Sequence, residues 1–376
     1  RPFTTRGTIL VIVLVTILFV SVALFAFMEK ASNDLLVETR EADAGRLRME
    51  AQSALETVLA VLEEFRRVNE GLRSPAEGWS DPLGFAGYEP GEGRVVKVEF
   101  QDESGKLSLP TMDAAALTQL FETWQIPKSD AELLADALLG WMRSDYTASS
   151  ARAPKPDDYE REELPYLPPE RPLRSYSELA TIAVIRERFF DEDGRPNEYY
   201  RKFCDAVSLY RFQQPNVNGA GNDTLSVLGM QDQSQHQRMD DFRRGVGSFF
   251  ATGPGYFKNA GEAASLLGPG ASNENYGVEI RALRIRVTVS RGAASYVLST
   301  VIAPPGGAEL VPPMEERASR GSGGTKAQPT PTPTPAPSRG VSASGNSSKK
   351  LNYPFTLLEF TENVVMSVTH TPNTDL

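Results

Sequence analysis

The stretch TILVIVLVTILFVSVALFAFM, residues 8–28, decides how the rest of the chain is arranged. It contains no charged residue and no proline. A bilayer core about 30 Å thick is crossed by roughly 20 apolar residues of helix, so this stretch predicts one membrane-spanning helix. The only charges before it are Arg1 and Arg6, and basic residues stay on the cytoplasmic side. We therefore expect everything after residue 28 to lie across the membrane.

The sequence that follows extends the same helix. Residues 29–72 contain no proline, and their apolar side chains recur at a spacing of three or four residues: Leu47, Ala51, Leu55, Val58, Leu62 and Phe65. One helix of roughly 60 residues, about 90 Å long, is predicted. A cleaved secretory signal has a shorter apolar region of about 7 to 15 residues. From hydropathy alone, an ordinary uncleaved single-pass anchor is the first interpretation.

Composition and motif content argue against several classes of function. A net charge of −10 argues against nucleic-acid binding, which needs a basic surface. The single cysteine, Cys204, cannot form an intramolecular disulfide. The chain has no nucleophile elbow, no zinc-protease motif and no phosphate-binding loop, and His236 and His370 stand in polar contexts. An anchored hydrolase using a serine and a lysine is therefore the weakest hypothesis, and we expect no enzymatic activity.

Strands flank a long helical region. Alternation over residues 94–100 and a turn at 103–106 predict a hairpin with residues 107–109. Alternating residues on both sides of Arg291 and Gly292 predict a second hairpin within residues 281–302, and residues 355–360 a last strand. Between the hairpins, residues 111–267 predict helices. Helices set between strands suggest an insertion into an α+β domain.

Short motifs occur in an order shared with a known family. They are Asp102-x-x-Gly105-Lys106-Leu107-x-Leu109, Leu138-Leu-Gly-Trp-Met-Arg-Ser-Asp145, Pro165-Tyr166, Ser177-Glu178-Leu179 and Asn216-Val-Asn-Gly-Ala220. Together they resemble the K-type minor pseudopilins of type II secretion, the general secretion pathway protein K family. Two asparagines of the first family motif are replaced by Ser108 and Pro110, so that match is partial.

The start of the chain resembles a prepilin leader, which is cut after a glycine on the cytoplasmic face. Here Gly7 precedes Thr8 and the unbroken apolar helix. Most pilins carry a glutamate five residues after the cut, whereas this chain has Ile12, and K-type members usually lack that glutamate. A carboxylate in lipid is costly unless it is paired. In the pilin model it pairs with the N-terminal amine of the subunit above, and a tip subunit has none above it.

The resemblance implies an α+β fold. A long N-terminal transmembrane helix would pack on a pilin-like antiparallel sheet, and a large all-α domain of the helix-hairpin-helix or SAM-like kind would be inserted. The implied boundaries are a leader at 1–7, a membrane half of the helix at 8–28, a periplasmic half at 29–72, a pilin-like domain at 73–110, 276–303 and 351–376, an inserted helical domain at 111–275, and a disordered loop at 304–350. That loop is rich in proline, glycine, serine and threonine.

The function implied is structural. The chain would be a minor pseudopilin at the tip of the type II secretion pseudopilus, anchored in the inner membrane of a Gram-negative-type bacterium with its bulk in the periplasm. Its partners would be the I-type and J-type minor pseudopilins and the prepilin peptidase. Gly7 and Thr8 would flank the cut, and Ile12 would mark the tip position. An uncleaved, membrane-anchored periplasmic scaffold or adhesion protein is the alternative.

Calcium is the one cofactor that the resemblance suggests, because K-type members carry carboxylates around the loop after the Leu-Leu-Asp-Trp segment. The candidate ligands here are Asp145, Asp157 and Asp158. Calcium takes six to eight oxygens. The key family carboxylates are replaced by Gly140, Arg143 and Lys155, so we expect a solvated acidic loop rather than an occupied metal site.

Overall fold

The computed structural model describes residues 6–162, 164–230, 232–267, 274–310 and 354–363. Within these ranges the side chains of residues 6–10, 36–42 and 267 are not described. Most of the predicted leader, residues 311–350 of the predicted disordered loop, and the last segment apart from residues 354–363 lie outside the described residues. The domain boundaries given above stay predictions.

A single helix, α1 (Arg6–Val68), dominates the structure, which confirms the predicted long helix. It ends where Glu70 takes a left-handed conformation (φ 57°) and the amide of Gly71 bonds back to the carbonyl of Arg66. The half that follows residue 43 buries its apolar stripe, whereas the side chains from Val11 to Leu35 are exposed except for partly buried Ala31. Only the distal half of α1 therefore contributes to the folded core.

In the part of the chain that the structure describes, the strands form two sheets. They are β1 (Val95–Asp102), β2 (Leu107–Ser108), β3 (Val207–Ser208), β4 (Leu283–Arg291), β5 (Ala294–Ala303) and β6 (Thr356–Glu362). The larger sheet is antiparallel in the order β1-β4-β5-β6, and β2 pairs with β3 in parallel. The predicted hairpin of β4 and β5 is confirmed, with Gly292 left-handed (φ 58°) at its turn. The last predicted strand is confirmed as β6.

The predicted hairpin over residues 94–109 is wrong. Strand β1 pairs with β4, so that Val98 faces Val287, and Leu107 pairs with Val207. The turn between β1 and β2 is a short 3-10 helix, Glu103–Gly105, which leads the chain out of the larger sheet. A turn signal describes local backbone only, and the residues that compete for pairing with β1 lie far along the chain.

The core between α1 and the sheet is apolar. Ile285, Val287 and Val289 of β4 face Leu55 and Leu62 of α1 in one buried cluster. Strand β1 alternates between half-buried residues on this face and exposed residues on the other. Burial of one face fixes the register, because a slip by one residue would turn the apolar set outward.

Short helices fill the region between β1 and β4, together with the short strands β2 and β3. Before β1 comes α2 (Pro82–Phe85). The others are α3 (Ala114–Thr123), α4 (Lys128–Met142), α5 (Pro156–Glu160), α6 (Ala183–Phe189), α7 (Glu198–Ala206), α8 (Asn222–Val227), α9 (Gln233–Arg244) and α10 (Ala260–Leu267). Helices α3, α4, α6 and α7 enclose an aromatic-rich core, and a second, smaller core includes residues of α8, α9 and α10. The fold class is α+β, as predicted.

Candidate functional site

Where the larger sheet meets the helices, the described residues form a joint in which Ser104, Gly105, Asn216 and Asn218 are buried, Asp102 is half-buried and Gly219 is exposed. We define the joint as Asp102, Ser104, Gly105, Asn216, Asn218 and Gly219. At its centre the Asp102 carboxylate accepts hydrogen bonds from Nδ2 of Asn216 (2.7 Å) and from the hydroxyl (2.5 Å) and amide (2.9 Å) of Ser104. The first and last family motifs, far apart in sequence, therefore contact each other through Asp102.

Two glycines make this approach of backbones possible. A Cβ on Gly219 would lie 2.2 Å from Oδ2 of Asp102, and a Cβ on Gly105 would lie 2.4 Å from the carbonyl oxygen of Gly219. Both distances are too short for non-bonded atoms. The glycines in the two motifs are therefore required by packing at the joint.

The two asparagines extend the joint to other parts of the chain. Nδ2 of Asn216 also donates to the carbonyl of Arg73, just after α1 (3.0 Å). Asn218 accepts from the amide of Phe257 (2.7 Å) and donates to the carbonyl of Val278 (2.9 Å). Side-chain amides thus satisfy buried backbone groups from three segments. The joint sets the orientation of α1, the sheet and the helices relative to one another.

Opposite charges flank the loop 216–220. Burial raises the pKa of Asp102 to about 6, although its hydrogen bonds with Ser104 and Asn216 oppose this. On the other side Arg243 donates to the carbonyls of Ala220 (2.7 Å) and Val217. Burial lowers the pKa of Arg243 to about 10, so it remains charged at neutral pH. The loop is held between a buried carboxylate and a buried guanidinium.

We predict that titration of Asp102 lowers the free energy of unfolding as the pH rises. Its folded pKa of about 6 lies above the unfolded value of 3.8, so the unfolded chain releases the proton first. The stabilisation is complete below the unfolded pKa, and on the order of 2 kcal/mol is lost as the pH rises through the folded pKa. Urea unfolding of the full chain in detergent at a series of pH values checks this. The difference between wild type and Asp102→Asn isolates the contribution, and a difference that does not change with pH would contradict it.

Charged side chains beside the joint form a buried ion network, defined by Glu103, Lys106, Arg284 and Glu359. Glu103, 2% exposed, contacts Arg284 (2.7 Å) and Lys106 (3.0 Å). Arg284 also pairs with Glu359 of β6 (2.9 Å). Burial opposes ionisation of Glu103, but the two cations hold its pKa below the usual value. Tyr210 donates its hydroxyl to Glu359. The network therefore ties β6 to β4 and to the turn after β1.

The second candidate functional feature is the apolar half of α1, which bears on membrane anchoring. The helix includes a segment, Val11–Leu35, that is long and apolar enough to cross a membrane, with a mean hydropathy of 3.0; within the described residues no other helix is. Ile12 lies on this segment and is 60% exposed. Gly7 and Thr8 lie in the first turn of α1, and their side chains are outside the described ones.

The structure does not bring the three candidate calcium ligands together. Asp145 and Asp157 are exposed. Asp158 accepts from the amide of Lys155 (2.8 Å) and pairs with Arg161 (3.2 Å) at the start and end of α5. In the described part of the chain, no three His, Cys, Asp or Glu residues lie close enough to hold a metal ion. These residues do not fit calcium, which needs several carboxylate oxygens around one point.

Comparison with known proteins bears on the motifs just described. Residues 101–192, from the end of β1 to just past α6, match the family described as Type II secretion system (T2SS), protein K. This match confirms the resemblance to K-type pseudopilins. The matched segment includes Asp102 and Gly105 of the joint, the loop that carries Asp145, and helix α5 with Asp158. No curated protein sequence matches the chain.

A solved structure supports the same fold. The chain is similar to one in the crystal structure of the GspK-GspI-GspJ complex from the type 2 secretion system of enterotoxigenic Escherichia coli, with a TM-score of 0.51 and 15% sequence identity. The similarity covers 73% of this chain and 96% of that one. At this identity the likeness shows the shared fold.

Sequence reasoning missed the charges that stabilise the site. Arg284 and Glu359 stand in strands that carry other polar residues, and Arg243 stands in a polar helix. Alternation places Arg284 with Arg286 and Thr288 on the face of β4 away from Ile285, so the sequence predicts that Arg284 is exposed. The sequence does not mark Arg243 either, since polar residues surround it in α9.

Proposed function

We propose that this chain is a minor pseudopilin that caps the tip of a type II secretion pseudopilus and has no enzymatic activity. The observation that carries the proposal is the protein K match at residues 101–192 in a chain whose apolar N-terminal helix has Ile12 in place of an acidic residue. Other subunits would need a glutamate there to neutralise the amine of the subunit above. A carboxylate without that partner would be costly in lipid, so an isoleucine suits the position with no subunit above it.

The proposed partners are the I-type and J-type minor pseudopilins. The support is that the similar solved chain comes from a complex of GspK, GspI and GspJ. The exposed apolar half of α1 also needs a covering, either lipid or the apolar helices of neighbouring subunits. Copurification of the full chain with I-type and J-type pseudopilins from the same bacterium tests the assignment, with a major pseudopilin as the comparison.

The proposed location is the inner membrane, with one span and the folded part in the periplasm. Support comes from the apolar segment Val11–Leu35 and from the two arginines that precede it. The prepilin peptidase would cut between Gly7 and Thr8 on the cytoplasmic face. The alternative, an uncleaved periplasmic scaffold or adhesion protein, would keep the same span and the same fold.

Processing separates these alternatives. We expect the full chain, purified from membranes that also contain a prepilin peptidase, to begin at Thr8. Replacing Gly7 by valine should abolish the cut, because a branched side chain does not fit where the peptidase accepts glycine. Intact mass and N-terminal sequencing measure both outcomes. An uncut wild-type chain would leave the anchored scaffold as the function.

A further inference from the structure

A buried carboxylate organises the loop that follows α4. Asp136, 3% exposed, lies on α4 and accepts hydrogen bonds from the hydroxyl of Tyr146 (2.5 Å) and the amide of Ser150 (2.6 Å). These two donors lie in the loop 143–153, and each bonds a different oxygen of the carboxylate. Asp136 therefore fixes the loop at two points.

The first residue of the loop is held in a similar way. Arg143 donates to the carbonyl of Met112 (2.6 Å), so a cation occupies a position at which the family resemblance implied a carboxylate. At the other implied position, a Cβ on Gly140 would face open space. Burial and the bond to Asp136 raise the pKa of Tyr146, which keeps its hydroxyl protonated and able to donate.

We infer that Asp136 holds the loop 143–153 by direct hydrogen bonds, so that this chain keeps the loop folded without calcium. A metal-organised loop uses one cation to draw several carboxylates together. Here one carboxylate draws together donors of the loop itself, and Asp158 is engaged with Lys155 and Arg161 instead. A calcium site has a cation at its centre and carboxylates around it, whereas here a carboxylate is at the centre and hydrogen-bond donors surround it. The inference concerns this chain's own contacts and does not depend on the proposed role in secretion.

Limited digestion of the full chain in detergent by trypsin tests the inference. Arg152 lies in the loop with its side chain 62% exposed, so cleavage after it reports how often the loop opens. We expect the wild-type cleavage rate and melting temperature to be the same with excess calcium chloride as with EGTA. Slower cleavage or a higher melting temperature in calcium, reversed by EGTA, would overturn the inference.

Variants test the role of Asp136. Asp136→Asn places an amide donor against the loop donors, and we expect cleavage after Arg152 to be roughly tenfold faster, in calcium and in EGTA alike. Tyr146→Phe removes one hydrogen bond and keeps the ring, so it should show a smaller increase even if the first variant folds poorly. Glu132→Gln, at an exposed position of the same helix α4, is the matched control and should match wild type. Wild-type rates in both Asp136→Asn and Tyr146→Phe would overturn the inference.

Discussion

Replacing Arg284 by methionine should lower the free energy of unfolding by about 3–5 kcal/mol. The guanidinium contacts Glu103 (2.7 Å) and Glu359 (2.9 Å); the variant leaves Glu103 with Lys106 (3.0 Å) and removes the cation that pairs with Glu359. Removing one partner of a buried ion pair is strongly destabilising because a charge remains without compensation. The loss should detach β6 first, since Glu359 is its charged contact with β4. Chemical denaturation of the full chain in detergent measures the change.

Arg286 supplies a matched control on the same strand. It lies two residues further along β4, is half-buried, and faces Glu99 of β1 in the register. Arg286→Met should change the free energy of unfolding by less than about 1 kcal/mol, because a partly exposed charge is already solvated in the folded chain. Adding Glu103→Gln and Glu359→Gln to Arg284→Met should restore part of the lost stability, because the uncompensated charges are then removed. Equal effects of Arg284→Met and Arg286→Met would contradict the role of the network.

Gly105→Ala should destabilise the fold by about 3 kcal/mol. The added methyl would lie 2.4 Å from the carbonyl oxygen of Gly219 and 2.5 Å from its carbonyl carbon. Both atoms are backbone, so relief requires the loop 216–220 to move away from Asp102. Inserting one methyl into packed structure typically costs about 1–3 kcal/mol, and a backbone clash lies at the upper end of that range. Amide hydrogen exchange should show lost protection of the amides of Asn216 and Asn218.

Gly140→Ala should have the opposite effect on stability to Gly105→Ala. A Cβ at residue 140 meets no atom within 4 Å, and the residue is inside α4. Alanine there should stabilise the chain by about 0.5–1 kcal/mol, because glycine loses more conformational freedom in a helix. Destabilisation by Gly140→Ala, or a neutral Gly105→Ala, would contradict the packing described for the two positions.

The sequence predicted the elements that depend on local pattern. Helix α1 followed from an unbroken apolar run and an apolar stripe, and the hairpin of β4 and β5 followed from alternation on both sides of Gly292. The ordered motifs also indicated a resemblance to K-type pseudopilins, and residues 101–192 match the protein K family. The processing site at Gly7 and the tip position at Ile12 remain predictions.

Long-range partners could not be predicted. The turn at residues 103–105 suggested a local hairpin, but β1 pairs with β4, so that the half-buried face of β1 joins the apolar faces of β4 and β5 against α1. The family resemblance raised calcium for the carboxylates near Asp145, whereas we expected a solvated acidic loop; neither indicates that Asp136 accepts hydrogen bonds from this loop. In both cases the local sequence pattern does not identify the residues that form the contact.

By itself, the sequence determined that this protein has one long N-terminal helix, an apolar half that suits a membrane, and a folded part built from strands and helices. Periodicity and hydropathy suffice for that, because they act within a few turns of chain. The tertiary structure alone decided that Asp102 meets Asn216, that Arg284 joins Glu103 to Glu359, and that Asp136 holds its loop. Each of these contacts forms because a polar group without a partner is costly once it is buried. Which groups are buried depends on the whole fold.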